Sequence, residues 1–151
     1  MKKKFKIIGF FVMLLTSQNL LAFKCYLTVM KDSCWANYST TVAVKDAQTH
    51  QTYARIMIGE GSTWGRQSFN CDPGQELMFE ASFFPVFWKS DEGKTYQGMH
   101  FWKLPESTTD KEVAWNISLC FPSQFAEVPF PPDAKGNCHC DASGIPAIGA
   151  N

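Results

Sequence analysis

The residues with the densest chemistry lie close to the C-terminus, in the run Cys138-His139-Cys140-Asp141. Two sulfurs and an imidazole within three positions are soft ligands of the kind that hold copper or zinc. Metal sites of this class recruit a further Cys or His pair at short spacing. The chain has no C-x-x-C motif and no second pair of that kind. A small metal or redox protein using Cys138, His139 and Cys140 remains an alternative, and it requires those thiols to be free.

The competing chemistry is oxidation. Cys25, Cys34, Cys71, Cys120, Cys138 and Cys140 make an even number, and in an oxidising compartment the default is three disulfides. Cys138 and Cys140 stand too close in sequence for an unstrained bridge. Cys25 and Cys34 bracket the strand-like run CYLTVM. Nine extended steps of about 3.3 Å place them roughly 30 Å apart, far beyond the ~7 Å that a disulfide spans between Cα atoms. Excluding both local pairs leaves ten of the fifteen connectivities that six cysteines allow. In each of the ten, both tail cysteines bond to the body. The expectation is a C-terminal segment clipped down twice, with no metal and no cofactor.

Catalytic chemistry has little to stand on. Nucleophilic catalysis needs a nucleophile, a base and an orienting group together, and the histidines are His50, His100 and His139. His50 falls in a polar hairpin, and His100 reads as a sheet-face residue. No G-x-S-x-G or H-E-x-x-H motif occurs. The glycine-rich GEGSTWG, residues 59–65, lacks the following helix whose dipole would hold a phosphate. Glu76 and Glu80 share a strand face, but with Met78 between them the face reads as solvent-exposed. No catalytic residue is assigned.

Aromatic density is the stronger signal. Phe83, Phe84, Phe87, Trp88, Tyr96, Phe101 and Trp102 fall within twenty residues. Alternation assigns Phe83 and Phe101 to the core. Phe87, Trp88, Tyr96 and Trp102 then form the candidate binding patch, because exposed aromatics offer large contact area and mark docking sites. The expected occupant is an envelope or extracellular protein, or the chain's own proline-rich segment. The alternative is a carbohydrate-binding β-sandwich whose tryptophans stack on sugar rings.

The element that must position these rings is the stretch Asn70 to Trp88. It opens on Asp72-Pro73-Gly74, where proline presets φ and glycine accepts φ > 0, the chemistry of a tight turn. Leu77, Phe79, Ala81 and Phe83 then alternate with Glu76, Met78, Glu80 and Ser82, which is strand periodicity. Further strand signals cover Tyr26–Met30, Thr40–Lys45, Tyr53–Ile58, Trp64–Asn70, Tyr96–Leu104 and Val113–Leu119. About seven strands separated by turn residues read as an all-β fold, an antiparallel β-sandwich over residues 23–120. From Phe121 onward five prolines forbid a central strand or a helix. Residues 121–151 read as an irregular proline-rich arm tied to the sandwich by disulfides, with the last ten residues fraying.

The first 22 residues read as a bacterial signal peptide. Lys2, Lys3, Lys4 and Lys6 precede the nine-residue apolar run Ile7 to Leu15, and Ala22 ends the segment. A membrane span needs about 20 apolar residues, and Thr16 to Asn19 are polar. The expectation is a periplasmic or secreted protein with no membrane span after leader removal. Loss of the leader leaves 10 basic side chains against 14 acidic ones. A nucleic-acid partner, which would ask for a basic stripe, is not expected.

Overall fold

A computed structural model describes residues 22–149. The signal-peptide segment, apart from Ala22, lies outside the described residues. Eight strands form: β1 (Phe23–Lys31), β2 (Ser39–Asp46), β3 (Thr52–Ile58), β4 (Trp64–Cys71), β5 (Glu76–Phe84), β6 (Tyr96–Gln97), β7 (Trp102–Lys103) and β8 (Trp115–Phe121). Helical structure among the described residues is confined to two single 3₁₀ turns, Ser33–Trp35 and Lys89–Asp91. No helix there is long and apolar enough to cross a membrane.

The strands make two sheets, β4-β1-β8 and β3-β2-β5-β6, with β7 also on β5. The sheets bury their alternating faces against each other, giving a disulfide-stabilised β-sandwich. Leu27 and Val29 of β1, Val42 and Val44 of β2, Leu77, Phe79 and Ala81 of β5, and Ile117 and Leu119 of β8 meet in the core. All strand pairs are antiparallel except β1–β8, which is parallel, with Cys25 opposite Trp115 and Lys31 opposite Phe121. Thr28 faces away from the core yet is buried. It accepts from Arg66 Nε at 2.8 Å and donates to Asn116 Oδ1 at 2.8 Å, and residues 142–148 border the same surface. Residues 142–148, within the segment expected to fray, thus lie over the outer face of the three-stranded sheet.

Two predicted strands change on folding. The run Tyr96–Leu104 splits into β6 and β7. Gly98 N donates to Phe79 O at 2.8 Å, but Met99 N donates to Gln124 O at 2.9 Å and Ala126 N to Gln97 O at 2.8 Å. The chain is therefore drawn off β5 towards the turn after β8. A Cβ on Gly98 would lie 3.2 Å from that of Phe79, so glycine suits this close crossing. With alternation broken, Phe101 is 63% exposed and not a core residue. The last strand begins at Trp115, not Val113, and Val113 is exposed.

The cysteines pair as Cys25–Cys71, Cys34–Cys138 and Cys120–Cys140. Each tail cysteine reaches a different body cysteine, as the spacing argument requires. The first bridge joins β1 to β4 and is buried in the core. Three disulfides are the state a chain reaches in an oxidising, extracytoplasmic environment.

Candidate functional site

At the Phe84 end of β5 the core becomes almost wholly aromatic. Trp35, in the first 3₁₀ turn, is 1% exposed. Its ring centroid lies 4.7 Å from Phe83, 4.9 Å from Phe121, 5.3 Å from Tyr38 and 5.7 Å from Phe87. The pairs with Phe83, Phe121 and Tyr38 are edge-on, and such pairs stabilise beyond the area they bury. Trp35 was not legible as a hub, because it sits in a polar turn with no periodicity around it. The fixed position of that turn is set by Asp32, whose Oδ1 accepts from Cys34 N at 2.9 Å. Burial holds the Asp32 carboxyl above its ordinary pKa, against the lowering effect of the Cys34 amide and the nearby His139. Beside it, Lys31 is buried and donates from Nζ to Tyr38 O at 2.6 Å and Gly59 O at 2.8 Å. Burial lowers its pKa, with Glu60 opposing.

Beside this cluster, which reaches it through Phe83, lies a groove of about 780 Å³. One wall is the end of β5 and the residues after it, Ser82 to Val86. The other is the return segment Glu92 to Thr95, and Lys89 closes one end. Phe84 is 70% exposed on this wall. Phe83 lines the groove while its ring stacks on Tyr96 inside, at 5.7 Å between centroids. The polar neighbours on the same sheet face are already satisfied: Lys45 Nζ lies 3.0 Å from Glu80 Oε1, and Gln97 Nε2 donates to Glu80 Oε2 at 3.0 Å. Burial works against the Glu80 carboxylate, but Gln97, Lys45 and Arg55 outweigh it and hold the pKa below its ordinary value.

Of the four residues expected to form one patch, Phe87 and Trp88 meet, and Tyr96 and Trp102 lie elsewhere. Trp88 is 56% exposed just beyond β5, edge-on to the half-buried Phe87 at 5.8 Å. Tyr96 is 3% exposed and belongs to the core. Burial, and secondarily Asp91, raises its pKa. Trp102 is half-buried opposite Leu77, at the start of β5. The segment carrying it returns antiparallel along β5, so higher residue numbers move away from Trp88. The seven residues from Leu77 to Phe84, at about 3.3 Å each, separate the two ends by roughly 23 Å. A combined Trp88–Trp102 surface is therefore corrected to two separate places.

Cys138 and Cys140 carry no free thiol. The sulfurs of Cys34 and Cys138 lie within 4.8 Å of an Asp32 oxygen, but they form one disulfide and offer no thiolate to a metal. Comparison with protein-family models, curated proteins and solved structures finds no match. What the site can do follows from its geometry: it offers a solvent-open apolar trough with polar ends.

Proposed function

We propose that this protein is an exported, non-catalytic binding module that docks an envelope or extracellular partner protein in the groove between residues 82–86 and 92–95. The observation that carries this reading is the juxtaposition of Phe84, at 70% exposure, with a trough of about 780 Å³ walled by Pro85 and Val86. Apolar surface held in water costs about 25 cal/mol per Å² relative to burial, and a partner that covers it recovers that free energy. Trp88 extends the same end of the molecule. The disulfides support export to the periplasm or beyond, since they would not persist in a reducing cytosol. Glycan stacking is the weaker reading, because Trp88 and Trp102 do not share a platform and Trp88 meets Phe87 at 82°.

The test is photo-crosslinking in intact cells from an unnatural side chain at Thr95, with Val113 as the distant control. A discrete protein adduct from position 95 and none from 113 supports the reading. Adducts of equal yield from both, or none from either, contradict it. Saccharide-induced change in Trp88 fluorescence without an adduct would favour the glycan alternative.

A further inference from the structure

The groove is more than an apolar depression, because it is a β-hairpin whose strands part before they reach their turn. β5 and β6 pair at Glu80–Gln97 and Ala81–Tyr96. Continuing that register by two residues sets Phe83 opposite Lys94. In an antiparallel ladder every second residue turns both main-chain groups to the same edge. Phe79 turns its carbonyl to the β6 edge, where it accepts from Gly98 N at 2.8 Å. Ala81 and Phe83 therefore address that edge as well. Yet Lys94 N donates to Asp91 O at 3.0 Å, within the turn that follows the 3₁₀ segment Lys89–Asp91. The loop has closed on itself and withdrawn Phe83's partner. Among the described residues, Phe83 N–H and C=O have no hydrogen-bond partner on this side, and the gap so opened is the groove.

We propose, building on the binding reading above, that the groove takes an extended peptide strand from the partner protein by main-chain pairing with Phe83. Unpaired strand edges are templates for an incoming strand, with main-chain bonds supplying affinity and alternate side chains supplying specificity. The incoming strand seats an apolar side chain against Phe84, Pro85 and Val86. Its flank carries a carboxylate to pair with Lys89 and Lys94, which stand at the rim with Glu92, beside Asp91 of the same turn. Neither lysine is in an ion pair among the described residues. Lys94 Nζ lies 5.3 Å from the centre of the Tyr96 ring, which holds it at the groove.

The experiment pans a random dodecapeptide phage library against the oxidised protein. Enriched peptides are then synthesised with a single N-methyl group at each position in turn. Strand addition through Phe83 predicts that methylation abolishes binding at one central position, the N–H that meets the Phe83 carbonyl, and is tolerated at the positions on either side of it. It also predicts that Phe84→Ala weakens binding about tenfold or more, as for an anchoring contact, while K89E/K94E weakens acidic-flanked peptides and leaves the fold intact. Peptides that bind the groove, lose affinity in Phe84→Ala and tolerate N-methylation at every position would overturn strand addition and leave the docking reading standing. If no enriched peptide responds to Phe84→Ala, both fail. Concentration-dependent self-association abolished by Phe84→Ala would overturn the proposal in favour of a second copy of this chain.

Discussion

Tyr53 Oη donates a hydrogen bond to Asp46 Oδ2 at 3.0 Å, tying the end of β2 to the strand that returns beside it. The same carboxylate gathers the whole corner. Its Oδ1 accepts from Thr49 N at 2.7 Å and Gln48 N at 2.9 Å, and Oδ2 also accepts from Gln75 Nε2 at 3.1 Å. One side chain thus holds the β2–β3 turn against the turn that launches β5. The Thr49 amide, then Gln75 and Gln48, depress the Asp46 pKa far below the ordinary carboxylate range. Burial, then Asp46 itself, raises that of Tyr53.

A depressed carboxylate pKa contributes stability above the unfolded-state value, about 3.9 for aspartate, and loses it as pH falls through the folded value. Wild-type protein should therefore melt at steadily lower temperature as pH drops below about 4. Asp46→Ala should melt lower than wild type at pH 7, and the difference should shrink in acid. Thermal melts from pH 2 to pH 7 check this, and parallel curves for the two proteins would show that Asp46 is not the group responsible.

Trp35 should be the costliest single truncation in the molecule. Trp35→Ala removes a ring that touches Tyr38, Phe83, Phe87 and Phe121. Large-to-small changes of this kind cost about 3–5 kcal/mol. Urea unfolding of the oxidised protein measures it. A loss below about 1 kcal/mol would mean the aromatic cluster repacks freely.

The two tail bridges should differ in effect. Cys34–Cys138 closes a separation of 104 residues and Cys120–Cys140 one of 20. In the chain-entropy account, removing the long closure costs roughly 1.5 kcal/mol more than removing the short one. Paired Cys→Ala variants compared by urea midpoint test the order. Equal losses would indicate that side-chain contacts, including Tyr38 Oη to Asp133 Oδ1 at 2.9 Å and Asn37 Nδ2 to Asp133 Oδ2 at 3.1 Å, hold the segment without help from the longer bridge.

Much of the architecture is written in local pattern. Alternation over Glu76–Phe84 and the Asp72-Pro73-Gly74 turn are both present, with Gly74 at φ 73° and Gln75 N bonded to Asp72 O at 3.3 Å. Cysteine spacing shows that the tail must be tied to the body, although not to which partners. Period-two patterning says which way a side chain points and nothing about what lies beside the strand. That is why the parallel docking of β8 on β1, the crossing at Gly98 and the separation of Trp88 from Trp102 were hidden. Trp35 and Lys31 escaped for a related reason: their burial comes from distant segments closing over a turn. The aromatic density around Phe87 and Trp88 was legible, but the open edge at Phe83 depends on register between two strands, which no single stretch encodes.

Amide hydrogen exchange of the free protein, read residue by residue by NMR, tests the open edge most directly. The account predicts strong protection at Ala81, whose neighbour on β6 is Tyr96, and fast exchange at Phe83 despite its buried ring. Protection at Phe83 equal to that at Ala81 would mean the hairpin is zipped shut in solution, and the groove would have no place for an incoming strand.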